Sequence, residues 1–194
     1  NRRDRATVPP LILASTSPRR RSLLAEYGYQ FEVIPADVEE IAPPHLTPGE
    51  ITLWNARTKA AAVAAHHPAA LVLGVDTLVA FEGEVFGKPV DLDAAFAMVS
   101  RLNGRTHEVF SGVFLIHGAS ARQRSFVEIT RVHFRTLDPG ALRSYLQRIG
   151  PLDKAGAYAA QDDRGELIDR VEGSFTNVIG LPMETLRDAL LAFP

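Results

Sequence analysis

"LILASTSPRRRSLL", residues 11–24, runs from a short apolar stretch through a polar turn into a helix start. Residues 11–15 read as a buried strand. Ser17 suits an N-cap and Pro18 the first helical position, while Leu23, Leu24 and Tyr27 supply apolar spacing and Gly28 a stop. A strand feeding a helix across such a turn is the unit of an α/β fold. The same stretch poses an electrostatic problem. A helix N-terminus carries partial positive charge, so each cation there costs up to about 1 kcal/mol. Arg19, Arg20 and Arg21 all stand in that first turn. A polyphosphate bound by the free N–H groups and two guanidiniums would reverse the penalty. The alternative is a solvated basic face. No GK[ST] follows, so this is not a P-loop of the Walker A kind.

Beyond this stretch the chain continues to mix strands and helices. Residues 31–36, "FEVIPA", read as the next strand. A proline-rich loop follows and ends where Thr47 and Glu50 bracket Pro48 as a capping box. The helix after it carries Ile51 and Trp54 on one side and runs to about His66. "LVLGVD", residues 71–76, is an apolar strand that ends in a carboxylate. Residues 77–88 read as a hairpin turning at Glu82-Gly83. A helix over 91–103 stops at Gly104, and two alternating segments, 105–116 and 125–135, pair as antiparallel neighbours. Asp138-Pro139 opens a helix with Leu142, Tyr145, Leu146 and Ile149 inward, ended by Gly150. A strand near 166–171 precedes "GSFTNVIGLP", which reads as turn plus strand, and a final helix closes the chain. The class is α/β with a mixed, twisted sheet flanked by helices.

At 194 residues, with 46% hydrophobic and 23% charged residues, the chain fits one globular unit, residues 11–194, after a flexible tail, residues 1–10. That tail is basic but has no apolar core, so it does not read as a secretory signal. A net charge of −2 gives no electrostatic case for nucleic acid or membrane binding. No apolar run approaches the ~20 residues that span a bilayer. The absence of cysteine excludes disulfides and thiolate catalysis. A cytoplasmic protein with local anion recognition is the expectation.

The candidate chemistry follows from position. Ligands of open α/β sheets gather beyond the carboxyl ends of strands, and Ser15 and Asp76 both read as strand-end residues. Lys88 in "GKP" and Lys59 in "NARTKA" add cations, although a single helical lysine is ordinarily a surface residue. The same holds for Lys154. Glu40, in the proline-rich loop, either solvates that loop or folds over Asp76. In the second case the pair would hold Mg²⁺, which takes one or two carboxylates plus phosphate oxygens. Ser15, Ser17, His107 and Asp76 do not form a convincing hydrolase triad, because no G-x-S-x-G elbow is present and His107 lies within an alternating strand. Thr176 and Asn177 read as groups that bond backbone.

Taken together, "LASTSPRR", "ADVEE", "ARTKA", "GVDTLV", "GKP", "LNGRTHEVFSGV", "LDKAGAYAAQ" and "GSFTNVIGLP" resemble, in order, the Maf family of nucleoside triphosphate pyrophosphatases. The resemblance implies a two-lobed α/β fold with a central cleft, similar to inosine triphosphate pyrophosphatases. It implies hydrolysis between the α and β phosphates, with a divalent cation, Mg²⁺ or Mn²⁺, and a homodimer. By matched motif, Asp76 is the proton acceptor, and Ser15, Arg19, Arg20, Lys59 and Lys88 line the phosphate path. Glu40 and Asp76 hold the metal. Asp76-Thr77 and Gln161 match the branch that prefers dTTP and UTP, so Arg19, Thr77 and Gln161 are the expected specificity positions. Asp162-Asp163, where glycine usually follows the glutamine, adds charge near the base pocket. A nucleotide-binding regulator of septum formation without turnover, and a pyrophosphatase specific for 7-methyl-GTP, are the alternatives.

Overall fold

The computed structural model describes residues 9–193, so the expected tail at residues 1–10 lies outside it except for Pro9 and Pro10. The Pro10 carbonyl accepts a hydrogen bond from the Leu71 N–H. The first strand, β1 (Leu11–Leu13), leads into α1 (Pro18–Glu26), and β2 (Phe31–Val33) and a long loop lead into α2 (Pro48–Ala64). Then come β3 (Leu71–Phe81), β4 (Glu84–Phe86), α3 (Leu92–Leu102), β5 (Thr106–His117) and β6 (Arg122–Phe134). The chain closes with α4 (Pro139–Ile149), three short 3₁₀ turns between residues 151 and 162, β7 (Ile168–Glu172), α5 (Phe175–Ile179) and α6 (Met183–Leu191).

The described strands form one mixed sheet in the order β2-β1-β3-β5-β6-β7, with β4 also on β3. β1 is parallel to both β2 and β3, and all other pairings are antiparallel. What positions the site is the way β3 is shared. Its first residues pair with β1 (Leu11↔Leu71 to Leu13↔Leu73), and its last with β4 (Val79↔Phe86 to Phe81↔Glu84). Residues 74–78 therefore have a strand partner on the β5 side only. This leaves a notch in the sheet edge between two halves of the molecule.

The core respects that division. Leu13, Leu24, Leu73, Leu115, Met183 and Leu186 pack on one sheet face toward the β1 end. Val79, Phe86, Val99, Leu102, Val132 and Tyr145 pack beyond the notch, toward the β4 end. On the opposite face Ala56, Ala60 and Val63 of α2 cover Val72 and Phe114. Two glycines permit this last contact. A Cβ on Gly74 would overlap the Ala56 carbonyl, and one on Gly112 would stand 2.5 Å from the Thr52 carbonyl oxygen. Without side chains there, α2 lies directly on the sheet.

Most elements follow their sequence signals. The capping box at Thr47 and Glu50 is formed in both directions. Leu142, Tyr145, Leu146 and Ile149 are buried, and Gly150 ends their helix in the left-handed region. Several readings need correction. β3 does not end at Asp76 but continues to Phe81, so the expected hairpin is the second half of the same strand plus β4. An acid read as a terminus because buried strands exclude charge, whereas here the unpaired notch accommodates it. "GSFTNVIGLP" forms the short helix α5, capped by Ser174, instead of a strand. Tyr27 and Trp54 are exposed, because the leucines of α1 and the alanines of α2 already fill the space each helix covers. Ser17 occupies the N-cap position, yet its side chain makes no capping bond. Asp163 is a buried clasp whose two carboxylate oxygens accept from Leu167 and Ile168 N–H groups. Lys154, read as a surface residue, is buried, because its ammonium is held by Asp153 and the Gly150 carbonyl.

Candidate active site

The notch opens into a cavity of about 610 Å³. Its walls come from the β1–α1 turn, the loop before α2, β3, the segment after β4, the 3₁₀ turns and the end of α5. Asp76 sits on its floor, 4% exposed, on the face of β3 that α2 covers. One turn of α2 grips both of its carboxylate oxygens. Lys59 Nζ lies 3.1 Å from Oδ1, and Asn55 Nδ2 donates to Oδ2 at 2.9 Å. Lys59 also pairs with Glu40 Oε1 at 2.7 Å and bonds the Val75 carbonyl, an acceptor exposed by the missing strand pairing. Burial raises the Glu40 carboxyl, but the Lys59 ammonium outweighs that and holds it below the ordinary carboxylate range. Glu40 does fold over Asp76, with the lysine between them.

The three arginines of α1 separate. Arg20 reaches inward: Nε donates to the Gly180 carbonyl at 2.8 Å, Nη1 to Ser15 Oγ at 3.1 Å, and Nη2 to Thr77 Oγ1 at 3.0 Å. Burial lowers its pKa to about 10, with Asp76 pulling the other way, so it remains cationic at neutral pH. Arg19 forms a two-point contact with Asp153, through Oδ2 at 2.9 Å and the carbonyl at 3.1 Å. Arg21 is exposed and does not line the cavity. α1 has no acidic residue in its first turn, so nothing on the helix itself answers its N-terminal charge. The oxygens of Ser15, Thr77, Gly180 and Asp153 do so instead.

Lys88 is exposed at the cavity wall and makes no hydrogen bond or ion pair among the described residues. Thr77 Oγ1 shares a 2.8 Å bond with Ser111 Oγ and donates to the Gly180 carbonyl at 3.3 Å. Its hydroxyl therefore serves Arg20 and the sheet. Gln161 is exposed and is not a lining residue, although the preceding Ala160 is. Thr176 and Asn177 bond within the fold, Asn177 Nδ2 reaching the Val109 carbonyl and Thr130 Oγ1. His107 is held against Tyr158 by a 2.8 Å bond, and burial lowers its pKa to about 3, so it is neutral and does not act with Asp76. Asp153 carries no sequence signal for the site, and Lys154 reads from sequence as a surface residue. Asn55 carries only its spacing, four positions before Lys59 on the same helix face.

Arg19, Arg20, Lys59, Lys88 and Lys154 make five cations against Glu40, Asp76 and Asp153 in a chain of net charge −2. Such a surplus in a low-dielectric hollow selects a polyanion. Among the described residues no three histidine, aspartate or glutamate side chains gather into a metal cage. The donors present, two carboxylates converging on one ammonium, fit a hard divalent ion completed by phosphate oxygens.

The family model described as "Maf-like protein" matches residues 10–193. A protein of Pelotomaculum thermopropionicum named dTTP/UTP pyrophosphatase is 44% identical over 183 residues, 94% of this chain and 96% of its own length. Relatives with the same name from Salinibacter ruber and Myxococcus xanthus are 43% and 47% identical. The first spans 94% of this chain and 90% of its own length, the second 89% and 87%.

Proposed function

The chain belongs to the family of Maf-like proteins, and from that premise we propose that it is a nucleoside triphosphate pyrophosphatase acting on dTTP, UTP and modified pyrimidine nucleotides. A water oxygen bonds the α-phosphorus, and the bond from that phosphorus to the α–β bridging oxygen breaks. Pyrophosphate and a nucleoside monophosphate leave. The Asp76 carboxylate takes the proton of the attacking water. Each of its oxygens accepts one bond from α2, through Lys59 or Asn55, which leaves lone pairs for that water. Arg19, Arg20 and Lys88, with Ser15 and the N–H groups of the α1 terminus, hold the phosphates. Lys59 keeps Asp76 and Glu40 together and faces the same charge.

Glu40 and Asp76 are the residues that would hold Mg²⁺ or Mn²⁺. When bound, such an ion supplies charge neutralisation at the phosphates and makes water easier to deprotonate. The observation that carries this reading is the convergence of Asp76, Lys59, Glu40 and Arg20 on one cavity with a surplus of cations. Base preference is assigned to Arg19, Thr77 and Gln161, with Thr77 acting through Arg20. Gln161, on the exposed turn just outside the cavity lining, would act from its rim. A homodimer and a cytoplasmic setting complete the proposal, the first supported by the family resemblance and the second by where nucleoside triphosphates are found. A nucleotide panel assayed for released pyrophosphate, with and without Mg²⁺, tests the whole. Metal-dependent turnover of dTTP and UTP above purine triphosphates is expected. Binding of nucleotides without any pyrophosphate would refute it.

A further inference from the structure

The long loop between β2 and α2 brings Glu40 over the sheet without any regular structure of its own. What ties its backbone down beside Glu40 is the side chain of Asn55. Asn55 Oδ1 accepts from the Ile41 N–H at 2.9 Å, and Nδ2 donates to the Ile41 carbonyl at 3.0 Å. The second Nδ2 hydrogen goes to Asp76 Oδ2 at 2.9 Å. Asn55 is 3% exposed. Turning its amide over would set Oδ1 against both the Ile41 carbonyl and the Asp76 carboxylate, so the orientation is fixed by its partners.

Asparagine clasps of this type also occur without a site. Asn103 makes the same paired bonds to Leu137, at 2.8 and 2.9 Å, and touches no functional group. Asn55 differs by its third bond. Through it, the residue next to Glu40 and the carboxylate of Asp76 share one rigid amide, while Lys59, four residues on, joins the two acids directly. We infer that Asn55 is a positioning residue, setting Asp76 and the Glu40 loop in one fixed relation so that both acids present to the cavity together. This rests on the reading of Asp76 as proton acceptor.

Two variants test it. Asn55→Leu keeps the volume and removes all three bonds, leaving the phosphate contacts of Arg20 and Lys88 untouched. Its kcat should fall about 10- to 100-fold, the usual effect of removing an outer-shell partner, with KM for dTTP within about threefold. Asn55→Ser is the milder variant: it is smaller than the amide, keeps one hydroxyl and cannot bridge Ile41 to Asp76. Its kcat should fall about tenfold with KM for dTTP within about threefold, a split that a clasp serving only the fold would not give. A cooperatively melting Asn55→Leu protein with kcat within threefold of the unaltered chain would overturn the inference. So would an unchanged kcat in Asn55→Ser, which decides the matter if the leucine variant does not fold. Asp76→Asn is assayed alongside. Full turnover in that variant would sink the proton-acceptor reading itself, whereas its loss combined with a normal Asn55→Leu sinks only the positioning role.

Discussion

Gly112→Ala is the perturbation whose consequence follows most directly from the packing. The new Cβ would stand 2.5 Å from the Thr52 carbonyl oxygen and against the Leu53 amide, all of it helix backbone with no side chain to swing aside. Carbon contacts relax at about 3.5 Å, so α2 must retreat from the sheet by ~1 Å. Overpacking of this kind costs about 1–3 kcal/mol. For a chain of this length each kcal/mol lowers Tm by roughly 2–4 °C, giving a fall of about 2–12 °C. The retreat also carries Asn55 and Lys59 away from Asp76, and displacements of ~1 Å near reacting groups cost about 100-fold in rate. Gly49→Ala, on the same helix, is the control: its Cβ meets Val127 at an ordinary 3.7 Å. Thermal melts and pyrophosphate release, measured on both variants, make the comparison. Unchanged melting and turnover in Gly112→Ala would refute the claim that direct helix-on-sheet contact delivers the donors to Asp76.

Other consequences can be checked singly. Lys88→Ala should raise KM for dTTP about tenfold, the loss of about 1.4 kcal/mol, while kcat changes less; an equal loss in kcat alone would contradict a binding role. His107, neutral in the fold with its pKa near 3 against 6.5 unfolded, contributes stability that is present above pH 6.5 and is lost as pH falls toward 3. That loss is about 2 kcal/mol by pH 5, or roughly 4–8 °C in Tm, and His107→Phe should flatten it in melts at pH 7.5 and 5.

Legibility from sequence tracked whether a signal was local. The capping box at Thr47–Glu50 and the Asp138 N-cap with Gly150 as stop are each contained in a few residues, and each formed. Asp76 was correctly marked as unusual, but its place in mid-strand depends on where β1 ends and β4 begins on the same edge. No short window contains that information. Arg19, Arg20, Lys59, Lys88, Glu40 and Asp76 line one cavity, whereas Gln161 stands outside its lining. Asn55 stayed invisible because an asparagine on a helix announces nothing until Ile41 and Asp76 are seen around it. Lys154 reads as a surface residue for a related reason: its partners, Asp153 and Gly150, bury a residue type that is exposed by default.

In the proposed reaction Asp76 accepts the proton of the water that splits the triphosphate. Single-turnover release of pyrophosphate from dTTP by Asp76→Asn, with nucleotide binding followed by calorimetry, tests it most directly. The rate is expected to fall by about 10²–10⁴, the range for loss of a general base, with the nucleotide still bound. Release within tenfold of the unaltered chain would contradict it.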